Sequence, residues 1–251
     1  MAEETGWRGD RIFAEPRLAR IYDVLDGERI DLDHYLALGD ELGAQAVLDI
    51  GCGTGTFACL LAERGKDVVG VDPAAASIDV ARAKPGAGGV RWLVGDATSL
   101  PPLQVDLVTM TANVAQVFVT DDEWNETLGA AHATLRPGGF LVFEVRDPEQ
   151  EAWTEWTPER SQRRVDVPGV GVVETWVELT AVELPLVSFR WTFVFEADDA
   201  VLTSDSTLRF RSRDEVADSL TDAGFEIRDV RDAPDRPGRE LVWIATRPAG
   251  G

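Results

Sequence analysis

Short apolar runs alternate with segments of helical spacing over roughly the first 150 residues. The runs at 47–50, 67–72, 90–96, 105–110 and 140–145 have the length and apolar content of buried strands. Between the first two runs, residues 56–64 place Phe57, Leu60 and Leu61 on one face of a helix. Strands that alternate with helices are typical of an α/β domain with a mainly parallel sheet.

A glycine loop follows the first strand. Asp49, Gly51, Gly53 and Gly55 stand at alternate positions, and the helix at 56–64 begins directly afterwards. Glycines at such a turn let the chain bend tightly, and they let a ligand approach where a Cβ would clash. A strand, a glycine loop and a helix in this order bind nucleotides in open α/β sheets. The spacing here is G-x-G-x-G, whereas a dinucleotide fold has G-x-G-x-x-G.

Acidic residues end the next two strands. Asp72 closes the second strand, where its carboxylate can accept hydrogen bonds from a ribose diol. Its alternative role is to cap a helix at 73–84, because Asp is a favoured N-cap and Pro73 suits a first turn. The third strand ends in Gly95, Asp96 and Ala97, which indicates either a plain turn or a second ligand contact.

The glycine loop with Asp49 ahead of it, followed by acids after the second and third strands, resembles the class I S-adenosylmethionine-dependent methyltransferases. The resemblance covers about 40–147 and returns at 213–247, where a helix at 214–223 precedes strands at 225–230 and 240–246. It implies an α/β fold, with a Rossmann-like, seven-stranded, mostly parallel sheet and helices on both faces. It also implies an enzyme that uses S-adenosyl-L-methionine as its cofactor.

The resemblance assigns roles to particular residues. In the family, the acid after the third strand meets the adenine amino group, and the next backbone N–H meets a ring nitrogen; these positions are Asp96 and Ala97 here. An N-terminal helix, expected at 13–26, covers the cofactor, and Tyr22 contacts its methionine end or simply packs the helix. The expected cofactor-binding set is Tyr22, Asp49, Gly51, Cys52, Gly53, Gly55, Asp72, Pro73, Asp96, Ala97 and Asn113.

Residues 148–212 depart from a minimal methyltransferase. Every second residue of 187–195 is apolar, which predicts a strand with one covered face, and residues 171–184 and 200–211 also favour an extended chain. We therefore expect an inserted antiparallel β meander that serves as a substrate lid, a dimer contact or core packing. The expected organisation is a helical cap at 1–42, a core at 43–147 and 213–251, and the insertion at 148–212. A second cap helix is expected at 31–42, and residues 1 to about 10 are expected to be mobile.

Several side chains near the ends of the fourth and fifth strands are candidates for acceptor binding. Ligands of open α/β sheets lie beyond the carboxyl ends of the strands. Arg146 could hold a substrate carboxylate or phosphate there, or form an ion pair with Glu144, Asp147 or Glu149. Trp153 and Trp156, which follow Arg146 in sequence, either contact the substrate or pack under the insertion. The expected substrate-binding set is Gln116, Arg146, Trp153 and Trp156.

The charge of the chain limits its partners. The formal net charge is −21, from 45 acidic against 24 basic residues, so nucleic acids and anionic membranes are poor partners. The two cysteines, Cys52 and Cys59, are too few for a disulfide framework or a zinc site, and we expect no metal. No signal peptide and no membrane-length apolar run is evident, so a cytoplasmic protein is expected.

The expected substrate is a small molecule that is methylated on nitrogen or oxygen. The sulfonium of the cofactor is already electrophilic, so the protein mainly needs to position the acceptor. No side chain stands out as a strong general base, which favours an amine or an acidic hydroxyl, and the catalytic residues stay unknown. The alternatives are a non-catalytic binder of the cofactor and a methyltransferase of protein or nucleic acid. An aminopropyl transferase is disfavoured because 111–119 holds no acidic cluster, and a homodimer is possible.

Overall fold

The computed structural model describes residues 9–250, and its centre is a seven-stranded sheet in the order β10-β11-β5-β4-β1-β2-β3. The expected mobile end falls mainly on residues 1–8, which lie outside the described residues. Strands β1 to β5 run parallel, while β11 is antiparallel to both β5 and β10. The fold class predicted from the sequence is therefore confirmed. The strands are β1 Ala46–Ile50, β2 Asp67–Asp72, β3 Val90–Val94, β4 Val105–Met110, β5 Leu135–Arg146, β10 Glu226–Asp232 and β11 Glu240–Thr246.

Helices cover both faces of this sheet. Helices α6 (Asp121–Thr134) and α8 (Arg213–Asp222) pack on one face, around the buried side chains of Leu48 and Phe143. Helices α3 (Leu32–Glu41) and α4 (Thr56–Glu63) pack on the other, around Val47 and Leu107. Helix α5 (Ala75–Arg82) connects β2 to β3. No helix within residues 9–250 combines the length and the apolar character needed to cross a membrane.

The N-terminal segment forms two helices where one was predicted. Helix α1 spans Arg11–Ala14 and helix α2 spans Pro16–Asp26. The break falls at Glu15, which is in an extended conformation and accepts a hydrogen bond from the backbone N–H of Arg17. Proline lacks an N–H and suits only the first turn of a helix, so Pro16 starts a new helix instead of continuing the first.

The insertion is a four-stranded antiparallel sheet in the order β6-β7-β8-β9. The predicted alternation appears in β8, where Val187, Phe193 and Phe195 are buried. Part of this face packs on the apolar side of α2. The elements are β6 Arg163–Val167, β7 Gly171–Glu183, β8 Leu186–Phe195, β9 Ala200–Arg209 and, before them, the short helix α7 Pro158–Ser161.

Candidate functional site

A cleft of about 680 Å³ opens at the carboxyl ends of β1 to β4. The order of the strands reverses here, since β1 lies between β4 and β2. Loops on the two sides of such a reversal diverge and leave a crevice, which is where open α/β sheets bind their ligands. We call this space the cofactor cleft. Its lining includes nine of the eleven residues predicted to bind a cofactor, namely Tyr22, Asp49, Gly51, Cys52, Gly53, Asp72, Pro73, Asp96 and Ala97.

The three glycines of the loop have different physical roles. A Cβ on Gly51 would lie 2.6 Å from the side chain of Val114, and one on Gly55 would lie 2.4 Å from Trp92, so both positions need glycine for packing. A Cβ on Gly53 would meet nothing within 4 Å. Gly53 lines the cleft, so it is the glycine that leaves room for a ligand. Gly55 does not line the cleft.

Asp72 holds the glycine loop in place. Its Oδ2 accepts a hydrogen bond of 2.9 Å from the backbone N–H of Gly53, and its Oδ1 accepts one of 2.8 Å from Ala74. Asp72 is not the N-cap of α5, because Ala74 occupies that position. Burial raises the pKa of Asp72, and the two backbone N–H bonds oppose that rise. The carboxylate therefore links the loops after β1 and β2 at the wall of the cleft.

Asp96 has one carboxylate oxygen that accepts no hydrogen bond from the described residues. Its Oδ1 accepts hydrogen bonds from the backbone N–H groups of Thr98 and Ser99, at 2.9 and 3.0 Å. All the hydrogen bonds that its carboxylate accepts from residues 9–250 end on Oδ1. Asp96 is exposed and Ala97 beside it is buried, so the pair forms a rim with a polar acceptor and an apolar floor.

Asp49 lies at the base of the cleft. It is buried, and its Oδ1 accepts a hydrogen bond of 2.9 Å from the hydroxyl of Thr109 on β4. Burial raises the pKa of Asp49 to about 7, the hydrogen bond from Thr109 lowers it, and the charge of Asp72 raises it further. Such a carboxyl group exists in both protonation states near neutral pH.

Helix α2 covers the cleft and is tied to the glycine loop. Asp23 accepts a hydrogen bond of 2.5 Å from the hydroxyl of Thr54 and forms an ion pair of 2.8 Å with Lys84. These contacts place the neighbouring Tyr22 at the cleft, where its ring packs against Phe13 at 5.2 Å between centroids. Burial raises the pKa of Tyr22, so the phenol stays neutral.

A second cavity, of about 290 Å³, adjoins the cofactor cleft, and we call it the acidic chamber. The two spaces share Tyr22, Arg29 and Ala112 in their walls. Six acidic residues and three arginines line the chamber, which gives its wall an excess of negative charge. The acidic residues are Asp26, Glu28, Asp31, Glu144, Asp235 and Glu240, and the arginines are Arg29, Arg146 and Arg236.

Two buried glutamates form the floor of the acidic chamber. Glu144, in β5, accepts hydrogen bonds from the hydroxyl of Tyr35 and from the backbone N–H of Asn113. Burial and the nearby charge of Glu240 raise the pKa of Glu144 to about 7. Glu240, at the start of β11, forms an ion pair of 2.6 Å with Arg236. Sequence reasoning placed Glu144 at the end of its strand but did not find Glu240, which no local motif marks.

Arg146 lines the acidic chamber, but its ion-pair partner differs from those expected. The guanidinium lies 3.5 Å from Glu240, and its Nη1 donates a hydrogen bond of 3.0 Å to Gln116. The expected partners Glu144, Asp147 and Glu149 form no ion pair with it. The antiparallel register explains the difference, since Arg146 stands directly opposite Glu240. Gln116 is buried behind Arg146 and lines neither space.

The structure does not bring the two tryptophans into either space. Trp153 is buried with its ring 4.6 Å from that of Phe210, and Trp156 packs 4.7 Å from Phe189 of the insertion. Both pack against the insertion sheet, which is the second of the two positions predicted for them. None of the residues 148–212 lines the cofactor cleft or the acidic chamber. Asn113 lines the acidic chamber and not the cleft.

A glycine loop and acidic strand ends at the reversal of a parallel sheet form a ligand cleft of the Rossmann-like type. Comparison with known proteins agrees, because a family model described as a methyltransferase domain matches residues 47–139. Over residues 47–139 the chain is therefore similar to this methyltransferase family, and its fold is that of solved S-adenosylmethionine-dependent methyltransferases.

Among curated relatives, an uncharacterised methyltransferase of Oceanobacillus iheyensis is 31% identical over 44% of this chain and 51% of its own length. The malonyl-[acyl-carrier protein] O-methyltransferase of Serratia marcescens is 29% identical over 72% of this chain and 67% of its own. The chain thus spans about half to two thirds of the length of these relatives.

Two solved structures are similar over nearly the whole chain. The CcbJ methyltransferase of Streptomyces caelestis has a TM-score of 0.78 at 21% identity and covers 96% of this chain and 100% of its own. The amino pentose methyltransferase CalS10 of Micromonospora echinaspora has a TM-score of 0.67 at 25% identity and covers 89% of this chain and 94% of its own. At 21% identity, the similarity to the CcbJ methyltransferase concerns the fold alone.

The residues of the cofactor cleft fit the cofactor of this family. The volume of about 680 Å³ lies within the common range for ligand pockets, about 300–1,000 Å³. Gly53 lines the cleft, and the space where its Cβ would lie is open, so the bare backbone leaves a cradle there. Asp96 supplies a carboxylate oxygen to the lining, and Tyr22 supplies an aromatic ring.

Proposed function

We propose that this protein transfers a methyl group from S-adenosylmethionine, bound in the cofactor cleft, to a small molecule held in the acidic chamber. The shared wall of Tyr22, Arg29 and Ala112 carries this proposal, because it makes the two spaces neighbours. Methyl transfer needs its two reactants side by side in a defined orientation, and most of the rate enhancement comes from that placement.

The residues of the cleft have defined parts in this proposal. When bound, the cofactor supplies an electrophilic methyl group on its sulfonium. Gly53 gives the ligand access to the backbone, Asp72 accepts from the ribose hydroxyls while it holds the loop, and Asp96 Oδ2 accepts from the adenine amino group. These roles are supported by the free space at Gly53 and by the use of Oδ1 alone in the turn at Asp96.

The chamber supports a small polar acceptor. Its volume of about 290 Å³ is near the lower limit for ligand pockets, and its wall is mainly polar. CalS10 is an amino pentose methyltransferase, and KedS8 from Streptoalloteichus is a sugar N-methyltransferase with a similar fold. A molecule of about the size of a sugar would fit the chamber here. The net charge of −21 argues against a nucleic-acid acceptor.

A methylation assay tests the proposal. The purified protein is incubated with S-adenosylmethionine and a panel of amino sugars, neutral sugars, simple amines and hydroxy acids, and S-adenosylhomocysteine and methylated products are quantified by mass spectrometry. We expect a methylated product from at least one member. Gly53→Ala should lose this activity because Gly53 lines the cleft, whereas Gly169→Ala, at another positive φ in open space but outside the cleft, should keep it. Binding of S-adenosylhomocysteine without any product would instead indicate a non-catalytic binder.

A further inference from the structure

Asn113 lines the acidic chamber, and one buried acceptor atom of its side chain has no partner. Asn113 is 3% exposed, and its Oδ1 has no hydrogen-bond donor among residues 9–250. The orientation of the amide is set by its other atom, because Nδ2 donates to Glu240 Oε1 at 3.3 Å. A carboxylate can only accept, so a flipped amide would place two acceptors together. Oδ1 is therefore the acceptor that stays unpaired, which is unfavourable for a buried polar atom.

The backbone holds Asn113 in this position. Its φ is +60°, in the left-handed region that asparagine adopts more readily than most residues. The backbone N–H donates to Glu144 Oε1 at 3.2 Å. Two carboxylates from neighbouring strands thus hold both the main chain and the side chain of Asn113. The orphaned Oδ1 belongs to a built site and not to a loose loop.

The charges around Asn113 select the kind of ligand that would complete the site. Glu240 is compensated by Arg236 and Arg146. Glu144 forms no ion pair with any described residue, and its two hydrogen bonds come from the neutral donors Tyr35 and Asn113. Asn113 therefore combines an unpaired side-chain acceptor with a backbone hydrogen bond to a carboxyl group that has no direct ion-pair partner among the described residues. A cation that carries N–H donors satisfies both, whereas a hydroxyl satisfies only the acceptor.

We propose that Asn113 Oδ1 and Glu144 form a subsite for a basic nitrogen with at least one N–H, so that the acceptor molecule carries an amino group. The inference rests on the proposed function in one respect, namely that the acidic chamber holds the acceptor. The subsite itself is a binding property and can be measured without methyl transfer.

The sequence offers a direct probe, since Asn113 and Asn125 are the only asparagines in the chain. Asn125 is exposed on α6 and serves as an internal control. The full protein, labelled with ¹⁵N in the asparagine side chains, is titrated with methylammonium chloride and, separately, with tetramethylammonium chloride. The two cations have the same charge, but only methylammonium carries N–H groups.

We expect methylammonium to shift the Asn113 side-chain resonances in a saturable way and to leave those of Asn125 unchanged. Tetramethylammonium should not produce this shift. Glu144→Gln should weaken the response to methylammonium about ten-fold or more, because it removes the negative charge. Glu183→Gln, a change of an exposed acid in β7 that lines neither space, should leave the response within about two-fold.

Equal responses to both cations, or no response to either, would overturn the subsite. Neither result would touch the proposed function, because the titration involves no methyl transfer. Conversely, a saturable Asn113 shift together with a failed methylation panel would contradict the proposed function and leave the amine subsite standing.

Discussion

Replacement of Asp72 is the change whose effect can be worked out most fully from the structure. Its carboxylate accepts two backbone N–H bonds, from Gly53 at 2.9 Å and from Ala74 at 2.8 Å. Hydrogen bonds to a charged acceptor contribute about 1.5–3 kcal/mol each. Asp72→Ala removes both. Asp72→Asn keeps an oxygen for one of them and turns its amide donor toward the other.

The expected losses differ between stability and affinity. The free energy of unfolding should fall by about 2–3 kcal/mol in Asp72→Ala, less than the sum of two bonds, because water in the open cleft can replace the bond to Gly53. The affinity for S-adenosylhomocysteine should fall by about 10–100-fold, since the ribose hydroxyls lose a charged acceptor and the loop loses its clamp. Asp72→Asn should be intermediate in both.

Calorimetry with S-adenosylhomocysteine and urea unfolding of the same preparations measure the two effects. Asp67→Asn is the matched control, because Asp67 is an exposed acid at the other end of the same strand, and it should match the wild type. An Asp72→Ala protein that folds and binds within about two-fold of the wild type would refute the ribose role. Asp72 would then act only as the clamp of the loop.

Three further changes test other parts of the account. Gly51→Ala should destabilise the fold by about 1–3 kcal/mol in thermal unfolding, since its Cβ would lie 2.6 Å from Val114. Gly53→Ala, where the space is open, should lower the affinity for the ligand and reduce the stability of the fold by less than Gly51→Ala does. Equal losses of stability in the two variants would contradict this. Burial raises the pKa of Asp49 to about 7, so its protonated form stabilises the folded state at low pH and this contribution is lost as pH rises through that value. Between about pH 5 and pH 8, the free energy of unfolding of Asp49→Asn should therefore rise by about 2–3 kcal/mol relative to that of the wild type, as measured by urea unfolding. Parallel pH profiles of the two proteins would exclude a raised pKa of Asp49. Lys66→Met should cost about 1–3 kcal/mol in urea unfolding, because the buried ammonium donates at 2.9 Å to a backbone carbonyl; an unchanged midpoint would refute this.

The parts of the fold that could be predicted from the sequence depend on local patterns. The strand, glycine loop and helix around Gly53 lie within one short segment, so local spacing predicts their structure, and the family resemblance of the same segment implies the ligand. Pro16 also marks the helix break at Glu15 locally, but the helical spacing of Leu18, Ile21 and Leu25 beyond it predicts only that a helix is present and not where it begins.

The acidic chamber could not be predicted in the same way. Its floor joins Asn113 to Glu240, 127 residues apart in sequence, through the antiparallel pairing of β11 with β5. No short motif encodes such a contact, because it depends on which strand lies beside which. The same pairing sets Arg146 opposite Glu240, and this explains why partners near Arg146 in sequence were expected instead. The burial of Trp153 and Trp156 depends on how the insertion folds back, which the alternation in its strands does not specify.

The central claim is that the cleft binds S-adenosylmethionine as the methyl donor. Calorimetric titration of the wild-type protein with S-adenosylhomocysteine and, in parallel, with NAD tests it most directly. The G-x-G-x-G spacing and the bare backbone at Gly53 predict saturable one-to-one binding of S-adenosylhomocysteine and no heat of binding with NAD. Tight binding of NAD with no response to S-adenosylhomocysteine would contradict the account.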